Sequence, residues 1–210
     1  MQFSFFDDDS EQATQQVVPL PDADVIYIPR WLTAEEATSF YQELASSLSW
    51  SQDTIKLFGK PVKIPRLQAW YGDMTTEYTY SGLTMVPKAW TPALQTLRER
   101  CESTAGVAFN SVLANWYRHG QDSMGMHADD EPELGSQPVI ASLTLGEGRP
   151  FIFRHKQTKA TTRINLEHGS LLVMRGDTQR HYLHGINKTT RVIGGRINLT
   201  FRYIYPAIPE

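Results

Sequence analysis

The chain has 210 residues, 40% of them hydrophobic, and a formal net charge of -3 at pH 7. This length suffices for one well-buried core, so we expect a single domain. The charge excludes a globally basic surface, and any contact with nucleic acid must come from local basic patches. Its single cysteine, Cys101, excludes an internal disulfide and a multi-cysteine zinc site, which fits a reducing compartment. Because no apolar run reaches the roughly 18 residues of a membrane span, we expect a soluble, cytoplasmic protein.

The N-terminal residues 1–22 are polar and acidic after a short aromatic cluster, which predicts a flexible tail. A single folded domain is expected over 23–210. Thr33 and Glu36 form a capping-box pattern, and apolar residues at helical spacing predict a helix from about 34 to 48. A second helix is predicted from Pro92 up to Gly106.

Beyond Gly106 the sequence consists of short strand-like runs separated by Gly, Pro and Asp turns. Many short, closely spaced strands predict an antiparallel sandwich or barrel, with its core over about 107–205. The stretch 51–90 is richer in aromatic and basic residues and weaker in periodicity, so we expect a loop-rich lobe laid over the barrel.

The last predicted strand, GRINLTFRYI, alternates strictly between polar and apolar residues. Arg196, Asn198, Thr200 and Arg202 share one face. A second strand, LANWYRH, places Asn115 and Tyr117 together, which predicts a polar lumen. Two guanidinium groups beside hydrogen-bonding side chains suit a small dicarboxylate, because each can form a bidentate, charge-assisted pair with a carboxylate. A wet polar strand face is the alternative.

HADDE, at residues 127–131, is a candidate metal-binding stretch. His127 and Asp129 lie two apart and would project together from a strand end. Two histidines and one carboxylate leave open positions on Fe(II) for a 2-oxo acid and dioxygen. His184, which precedes a glycine, is the candidate third ligand, and His181 is the alternative.

Together, the motifs NWYRHG, HADDE, HYLHG and GRINLTFR resemble those of the AlkB family of Fe(II)- and 2-oxoglutarate-dependent dioxygenases. The Arg-x-Asn-x-Thr-Phe-Arg pattern is the most specific of them. Further similarity over about 55–204 points to the DNA-repair branch that includes the human nuclear duplex-DNA demethylase. The resemblance implies a mainly β (α+β) fold: a double-stranded β-helix, or jelly roll, with two N-terminal supporting helices and a nucleotide-recognition lid over about 51–90.

The resemblance also implies the site residues and the cofactors Fe(II), 2-oxoglutarate and O2. The expected metal ligands, which form the catalytic centre, are His127, Asp129 and His184. The expected co-substrate contacts are Asn115, Tyr117, Arg196, Asn198 and Arg202. The implied reaction is oxidative demethylation of 1-methyladenine and 3-methylcytosine in DNA, with release of formaldehyde and succinate.

The expected substrate contacts lie in the lid and beside the metal motif. The candidates are Tyr78 and Tyr80 as base-stacking aromatics, Glu131 as a reader of the base edge, Phe58 as a wedge that fills the gap left by a flipped base, and Arg66 among the basic residues around that wedge. Asp130 is expected to organise the loop or to contact a lid arginine. The basic run from Arg154 to Arg163 is expected to contact the DNA backbone.

The expected partner is alkylated DNA, single- or double-stranded, and the protein is expected to be a monomer. Gln2–Phe6 is close to the short peptides that dock on bacterial sliding clamps, so a clamp contact is a further expectation. Two alternatives to DNA demethylation stay open: the same chemistry on RNA or another methylated substrate, and a non-catalytic jelly-roll binding module.

Overall fold

The fold is described from a computed structural model of the chain. It covers residues 14–57, 59–74, 76, 78–80, 83–85 and 87–206, with the backbone alone at 56–57, 78–80 and 83–85. Phe58 and Gln2–Phe6 lie outside the described residues. No helix in the described ranges is long and apolar enough to cross a membrane.

Two long helices lie on one side of the fold, and both begin at the caps that the sequence predicts. The helices are α1 (Ala34–Ser47), α2 (Pro92–Ala105) and the short α3 (Thr178–His181), with a 3-10 turn at Pro132–Leu134. The Thr33 hydroxyl accepts the Glu36 N–H, and the Glu36 carboxylate accepts the Thr33 N–H. Gly106 ends α2 with φ 73°. The prediction of the two long helices is confirmed, whereas α3 was not predicted.

Most strands belong to two antiparallel sheets that face each other. The strands are β1 (Gln16–Val17), β2 (Asp24–Ile28), β3 (Thr54–Leu57), β4 (Lys60–Lys63), β5 (Leu67–Gly72), β6 (Tyr78–Tyr80), β7 (Leu83–Met85), β8 (Ser111–Tyr117), β9 (Met124–His127), β10 (Ile140–Gly146), β11 (Arg149–His155), β12 (Thr161–Leu166), β13 (Leu171–Arg175), β14 (Tyr182–Ile186) and β15 (Arg196–Arg202). The major sheet has the order β1-β2-β13-β10-β15-β8-β5, and the minor sheet has the order β12-β11-β14-β9. Two further pairs, β3–β4 and β6–β7, form separate two-stranded ribbons.

Side-chain alternation along the major sheet produces two apolar layers. Leu171 and Val173 pack with the helices, whereas Leu172 and Met174, on the opposite face of the same strand, pack against the minor sheet. On β15, Ile197 and its alternate neighbours join the helix-side layer. The polar face of β15 therefore points between the two sheets, into the lumen of a jelly roll. The predicted fold class is confirmed.

Two predicted boundaries are wrong. The N-terminal tail does not extend to residue 22, because β1 pairs with β2 and both Val18 and Leu20 are buried in the core. The predicted lobe over 51–90 and the core from 107 also divide the chain incorrectly. Within that lobe β5 pairs along β8 as an edge strand of the major sheet, because its Ala69, Trp70 and Tyr71 bury their side chains there. The remaining strands of 51–90 form the two ribbons, which we call the lid.

Candidate metal and co-substrate site

Three potential metal ligands converge at one end of the lumen. His127 ends β9, directly opposite His184 on β14, and Asp129 follows in the adjoining loop. Their ligand atoms lie within 4.8 Å of one another. The Asp129 carboxylate is 4.0 Å from His127 Nε2 and 3.7 Å from His184 Nε2. These separations suit two imidazoles and one carboxylate around a single cation.

The electrostatics keep His184 and Asp129 in the protonation states that a metal requires. Burial lowers the pKa of His184 to about 4, so the ring is neutral at physiological pH. Burial alone would raise the pKa of Asp129, but the nearby Arg202 and the two histidines hold it below its ordinary value. A neutral imidazole and an ionised carboxylate are the ligand forms.

The ring of His127 is oriented by the backbone of its own strand. Its Nδ1 lies 2.9 Å from the carbonyl oxygen of Gly125, which can only accept, so Nδ1 carries the proton. Nε2 is then the nitrogen available to a metal, and it lies 4.0 Å from the Asp129 carboxylate. A carbonyl that fixes the second nitrogen is the usual arrangement behind a metal-binding histidine.

A cavity adjoins the three ligands. Its lining combines apolar side chains, such as Phe151, with hydrogen-bonding groups from β8 and β15. The polar lining residues are Asn115, Tyr117, Ser142, Asn198, Thr200 and Arg202. The polar lumen predicted from strand alternation is thus present, next to the candidate metal site.

Arg196 lies behind this lining and is completely buried. Its Nη2 donates to Thr144 Oγ1 and to Asn198 Oδ1, both at 2.8 Å, and its guanidinium lies 5.4 Å from the centre of the Tyr117 ring. Its Nε and Nη1 have no hydrogen-bond partner among the described residues. Burial lowers the pKa of Arg196 to about 10. A buried cation with two unsatisfied donors is costly, and a bound carboxylate would satisfy it.

Arg202 lies at the metal end of the same strand face. Its Nη1 is 3.3 Å from Asp129 Oδ1, and its Nε has no partner within the described part of the chain. The two arginines therefore offer unsatisfied donors at the two ends of β15. This arrangement and the 2-His-1-carboxylate donor set fit Fe(II) together with a dicarboxylate such as 2-oxoglutarate.

Two asparagines predicted to hold the co-substrate differ in how many of their amide groups already have hydrogen-bond partners. Arg66 Nε donates to Asn115 Oδ1 at 2.8 Å, which leaves the Asn115 amide NH2 as the group available to a ligand. Asn198 Oδ1 accepts from Arg196 and from Ser142, and its Nδ2 donates to Thr200. Asn198 therefore organises the lumen wall. Arg66, predicted as a substrate contact, therefore contacts a residue of the cavity lining.

Glu131 follows the metal motif and precedes the 3-10 turn. Its Oε2 is buried and has no hydrogen-bond partner in the described ranges. Its neighbour Asp130 points elsewhere and forms an ion pair with Lys156 at 3.1 Å. Asp130 thus organises the loop, one of the two roles expected of it, and Glu131 retains an unsatisfied carboxylate oxygen.

Three predicted substrate residues have side chains outside the described part of the structure. Tyr78 and Tyr80 lie in β6, whose backbone pairs with β7. Phe58 is outside the described residues. Their roles stay predictions.

The alternative ligand, His181, belongs to a different cluster. It stacks on His155 with ring centres 5.8 Å apart, and His155 Nε2 lies 3.4 Å from Asp22. The backbone N–H groups of Gln157 and Thr158 both donate to His155 Nδ1. His155 Nε2 therefore carries a proton and donates to Asp22, which is a poor arrangement for binding a metal.

Gln179 also contacts the candidate ligands, although no sequence pattern predicted it. Its side-chain oxygen accepts the Asp129 N–H and lies 3.1 Å from His184 Nε2. It precedes His184 by five positions on α3, an element without a helical sequence pattern. A buried amide that is distant in sequence from Asp129 leaves no spacing signal.

A non-haem iron site of the 2-oxo-acid type is compatible with this arrangement of two histidines and one carboxylate beside a polar cavity with buried arginines. The sequence model of the 2OG-Fe(II) oxygenase superfamily matches residues 24–202. The chain is 41% identical over 182 residues to a Bos taurus protein named DNA oxidative demethylase ALKBH2, covering 81% of this chain and 66% of that protein.

Human relatives give similar values. The identity is 41% to Homo sapiens DNA oxidative demethylase ALKBH2, over 80% of this chain and 69% of the relative. It is 40% to Homo sapiens alpha-ketoglutarate-dependent dioxygenase alkB homolog 3, over 87% and 66%. The chain belongs to the 2OG-Fe(II) oxygenase superfamily and, within it, to the AlkB family. It spans about two thirds of the length of these relatives.

Solved structures of low sequence identity share the fold. One, titled "The structure of OsALKBH1", superposes with a TM-score of 0.62 at 14% identity and covers 90% of this chain and 100% of that one. A prolyl hydroxylase from Trichoplax adhaerens superposes with a TM-score of 0.60 at 13% identity, over 86% and 83%. At these identities the similarity shows the jelly-roll fold alone.

Proposed function

We propose that the protein is a DNA-repair dioxygenase that demethylates 1-methyladenine and 3-methylcytosine. The observation that carries the proposal is the convergence of His127, Asp129 and His184 beside a cavity bordered by a buried arginine with unsatisfied donors. The names of the relatives, which describe DNA oxidative demethylases, support the substrate class.

The chain's own residues would perform three tasks. His127, Asp129 and His184 would hold Fe(II), and Arg196, Arg202, Asn115 and Tyr117 would bind 2-oxoglutarate. When bound together, Fe(II), 2-oxoglutarate and O2 would supply the oxidation of the N-methyl carbon, with succinate, CO2 and formaldehyde as the products. Phe151, stacked on His184 with ring centres 5.2 Å apart, shields the metal end from water.

Glu131 supplies the chemistry for reading the base. Both substrate bases carry an exocyclic amino group next to the methylated nitrogen, and both are cationic. A buried carboxylate oxygen without a partner among the described residues can accept from that amino group and compensate the charge. Tyr78 and Tyr80 would stack on the extruded base, and the basic hairpin from Arg154 to Arg163 would contact phosphates.

The test is release of succinate and formaldehyde from a methylated oligonucleotide in the presence of Fe(II) and 2-oxoglutarate. Activity is expected to be lost in His127→Ala and His184→Ala and retained in His181→Ala, because His181 lies in the other histidine cluster. Equal loss in His181→Ala and His184→Ala would contradict the ligand assignment. Retained activity in His127→Ala would contradict iron chemistry at this site.

Single-stranded DNA, duplex DNA and RNA carrying the same lesion decide the substrate class. DNA is expected to be demethylated with the higher kcat/KM, and a preference for RNA would favour the alternative substrate. If none of the three substrates is demethylated in the presence of Fe(II) and 2-oxoglutarate, the result would favour the non-catalytic binding module.

Three further features belong to the proposal. The protein would act as a cytoplasmic monomer, and Gln2–Phe6 would dock on a sliding clamp and bring the enzyme to newly copied DNA. Size-exclusion chromatography with light scattering tests the monomer. A peptide of residues 1–13 that fails to bind a purified bacterial clamp would rule out the docking role.

A further inference from the structure

The side-chain amide of Gln179 contacts two of the three metal-ligand residues. Gln179 is 2% exposed, and its Oε1 accepts the Asp129 N–H at 3.0 Å. The same oxygen lies 3.1 Å from His184 Nε2. Because the Asp129 N–H is always a donor, the oxygen of the amide, and not its NH2, must face this point. The NH2 then points to Met174 Sδ at 3.5 Å.

This contact joins parts of the site that come from different elements. Asp129 lies in the loop after β9 and does not take part in strand pairing. His184 lies within β14 and pairs with His127. The bond from the Asp129 N–H to Gln179 holds the backbone of Asp129 close to the His184 ring. It restricts a loop residue whose carboxylate is contacted separately by Arg202.

The backbone of Gln179 is itself held in place. Lys156 Nζ donates to the Gln179 carbonyl oxygen at 2.9 Å and also pairs with Asp130 at 3.1 Å. Lys156, in the turn after β11, therefore ties α3 to the loop that carries Asp129. Gln179 is thus fixed by contacts outside the metal site, which allows it to orient the ligands.

We propose that Gln179 is a positioning residue that holds Asp129 and His184 in the metal-binding arrangement before a metal arrives. Without metal, the proton on His184 Nε2 can be donated to Gln179 Oε1. The Asp129 N–H needs this acceptor whether or not a metal is bound. The proposal rests on the iron site described above, and it assigns to Gln179 a role in metal affinity rather than in the oxidation.

The test compares the Mn(II) affinity of the purified wild-type chain with that of Gln179 variants. The electron paramagnetic resonance signal of free Mn(II) measures the unbound ion. Gln179→Met keeps the volume of the side chain and removes the acceptor. Binding is expected to weaken by about 10-fold or more, the usual effect of removing a hydrogen-bond partner from behind a metal ligand. Arg180→Met, an exposed neighbour on the same helix, is the control and is expected to bind like wild type.

Amide exchange distinguishes positioning from a general effect on folding. The Asp129 N–H should exchange slowly in the metal-free wild type and in Gln179→Glu, which keeps an acceptor oxygen, and rapidly in Gln179→Met. Gln179→Glu should restore Mn(II) binding. If Gln179→Met does not fold, Gln179→Asn decides, because its shorter side chain withdraws the oxygen from Asp129.

The outcomes separate the two proposals. Wild-type Mn(II) affinity in a folded Gln179→Met or Gln179→Asn would overturn the role of Gln179 and leave the iron site intact. If wild type and His127→Ala bound Mn(II) equally, the iron site itself would be wrong.

Discussion

The lumen and the lid are built in different ways. In the lumen, Asn115 and Asn198 face each other across β8 and β15, which pair over seven residue positions in the middle of the major sheet. In the lid, β3 and β4 pair over four positions, and all four residues of β4 are exposed. The residues expected to hold a small dicarboxylate thus lie on β8 and β15, strands with neighbours on both sides. Tyr78 and Tyr80, which are expected to stack on a base, lie on the short ribbon β6–β7.

This contrast indicates a division of labour. Burial and pairing fix the lumen side chains to the accuracy that chemistry demands. Short exposed ribbons can adapt to a nucleic acid at a lower energetic cost. Variants in the lumen should therefore change co-substrate use on every substrate, whereas variants in the lid should change the choice among substrates.

The largest effect is expected for Arg196→Met in the lumen. Two charge-assisted hydrogen bonds of about 1.5–3 kcal/mol each would be lost, so the KM for 2-oxoglutarate should rise by at least about 100-fold. Isothermal titration calorimetry with 2-oxoglutarate and Mn(II) measures the same loss without turnover. Arg191→Met, in the exposed β14–β15 loop, is the matched control. A change in KM below threefold would show that Arg196 is purely structural.

A smaller effect with the opposite selectivity is expected for Glu131→Gln. Removing the charge should lower kcat/KM for 1-methyladenine in DNA by about 10-fold, the equivalent of one charge-assisted hydrogen bond. The dissociation constant of 2-oxoglutarate should not change. Glu133→Gln, in the adjoining 3-10 turn, is the control. A parallel loss of 2-oxoglutarate affinity would place Glu131 in the lumen.

Arg66→Met tests where the two regions meet. Arg66 comes directly before β5, on the lid side, yet donates to Asn115 in the lumen. If its role is to orient the Asn115 amide, the KM for 2-oxoglutarate should rise by up to about 10-fold, on single-stranded and duplex DNA alike. An effect confined to the DNA substrate would restore the role predicted from the sequence.

Phe58→Ala tests the lid alone. If Phe58 fills the gap left by a flipped base, activity on duplex DNA should fall several-fold while activity on single-stranded DNA is maintained. Lys60→Ala removes a nearby charge but no aromatic ring, and it should mainly change the salt dependence of binding. Unchanged duplex activity in Phe58→Ala would exclude the wedge.

The same contrast explains what the sequence could predict. Alternation along β15 indicates which side chains face the lumen, because successive side chains of a paired strand must point to opposite faces of the sheet. The predicted boundaries of the lid and the tail were wrong because β5 pairs with β8 and β1 pairs with β2. The local sequence does not show these pairings. Gln179 could not be predicted, because its role depends on a contact between residues 50 positions apart.

The smallest effect on activity is expected for Asp122, which precedes β9 and does not line the cavity beside the candidate ligands. Its side chain is 4% exposed and accepts Arg118 Nε at 2.8 Å, Arg118 Nη2 at 3.0 Å and the Arg118 N–H at 2.9 Å. Burial would raise the pKa of Asp122, but Arg118 lowers it below its ordinary value of 3.8, so the stabilisation is complete above that pH and is lost as the pH falls below it. Asp122→Asn should lower the free energy of unfolding at neutral pH by about 1–3 kcal/mol without changing the KM for 2-oxoglutarate. Urea unfolding measured at decreasing pH should show that the difference in unfolding free energy between wild type and Asp122→Asn becomes smaller below pH 3.8. A difference that does not depend on pH would show that the charge of Asp122 does not stabilise the fold.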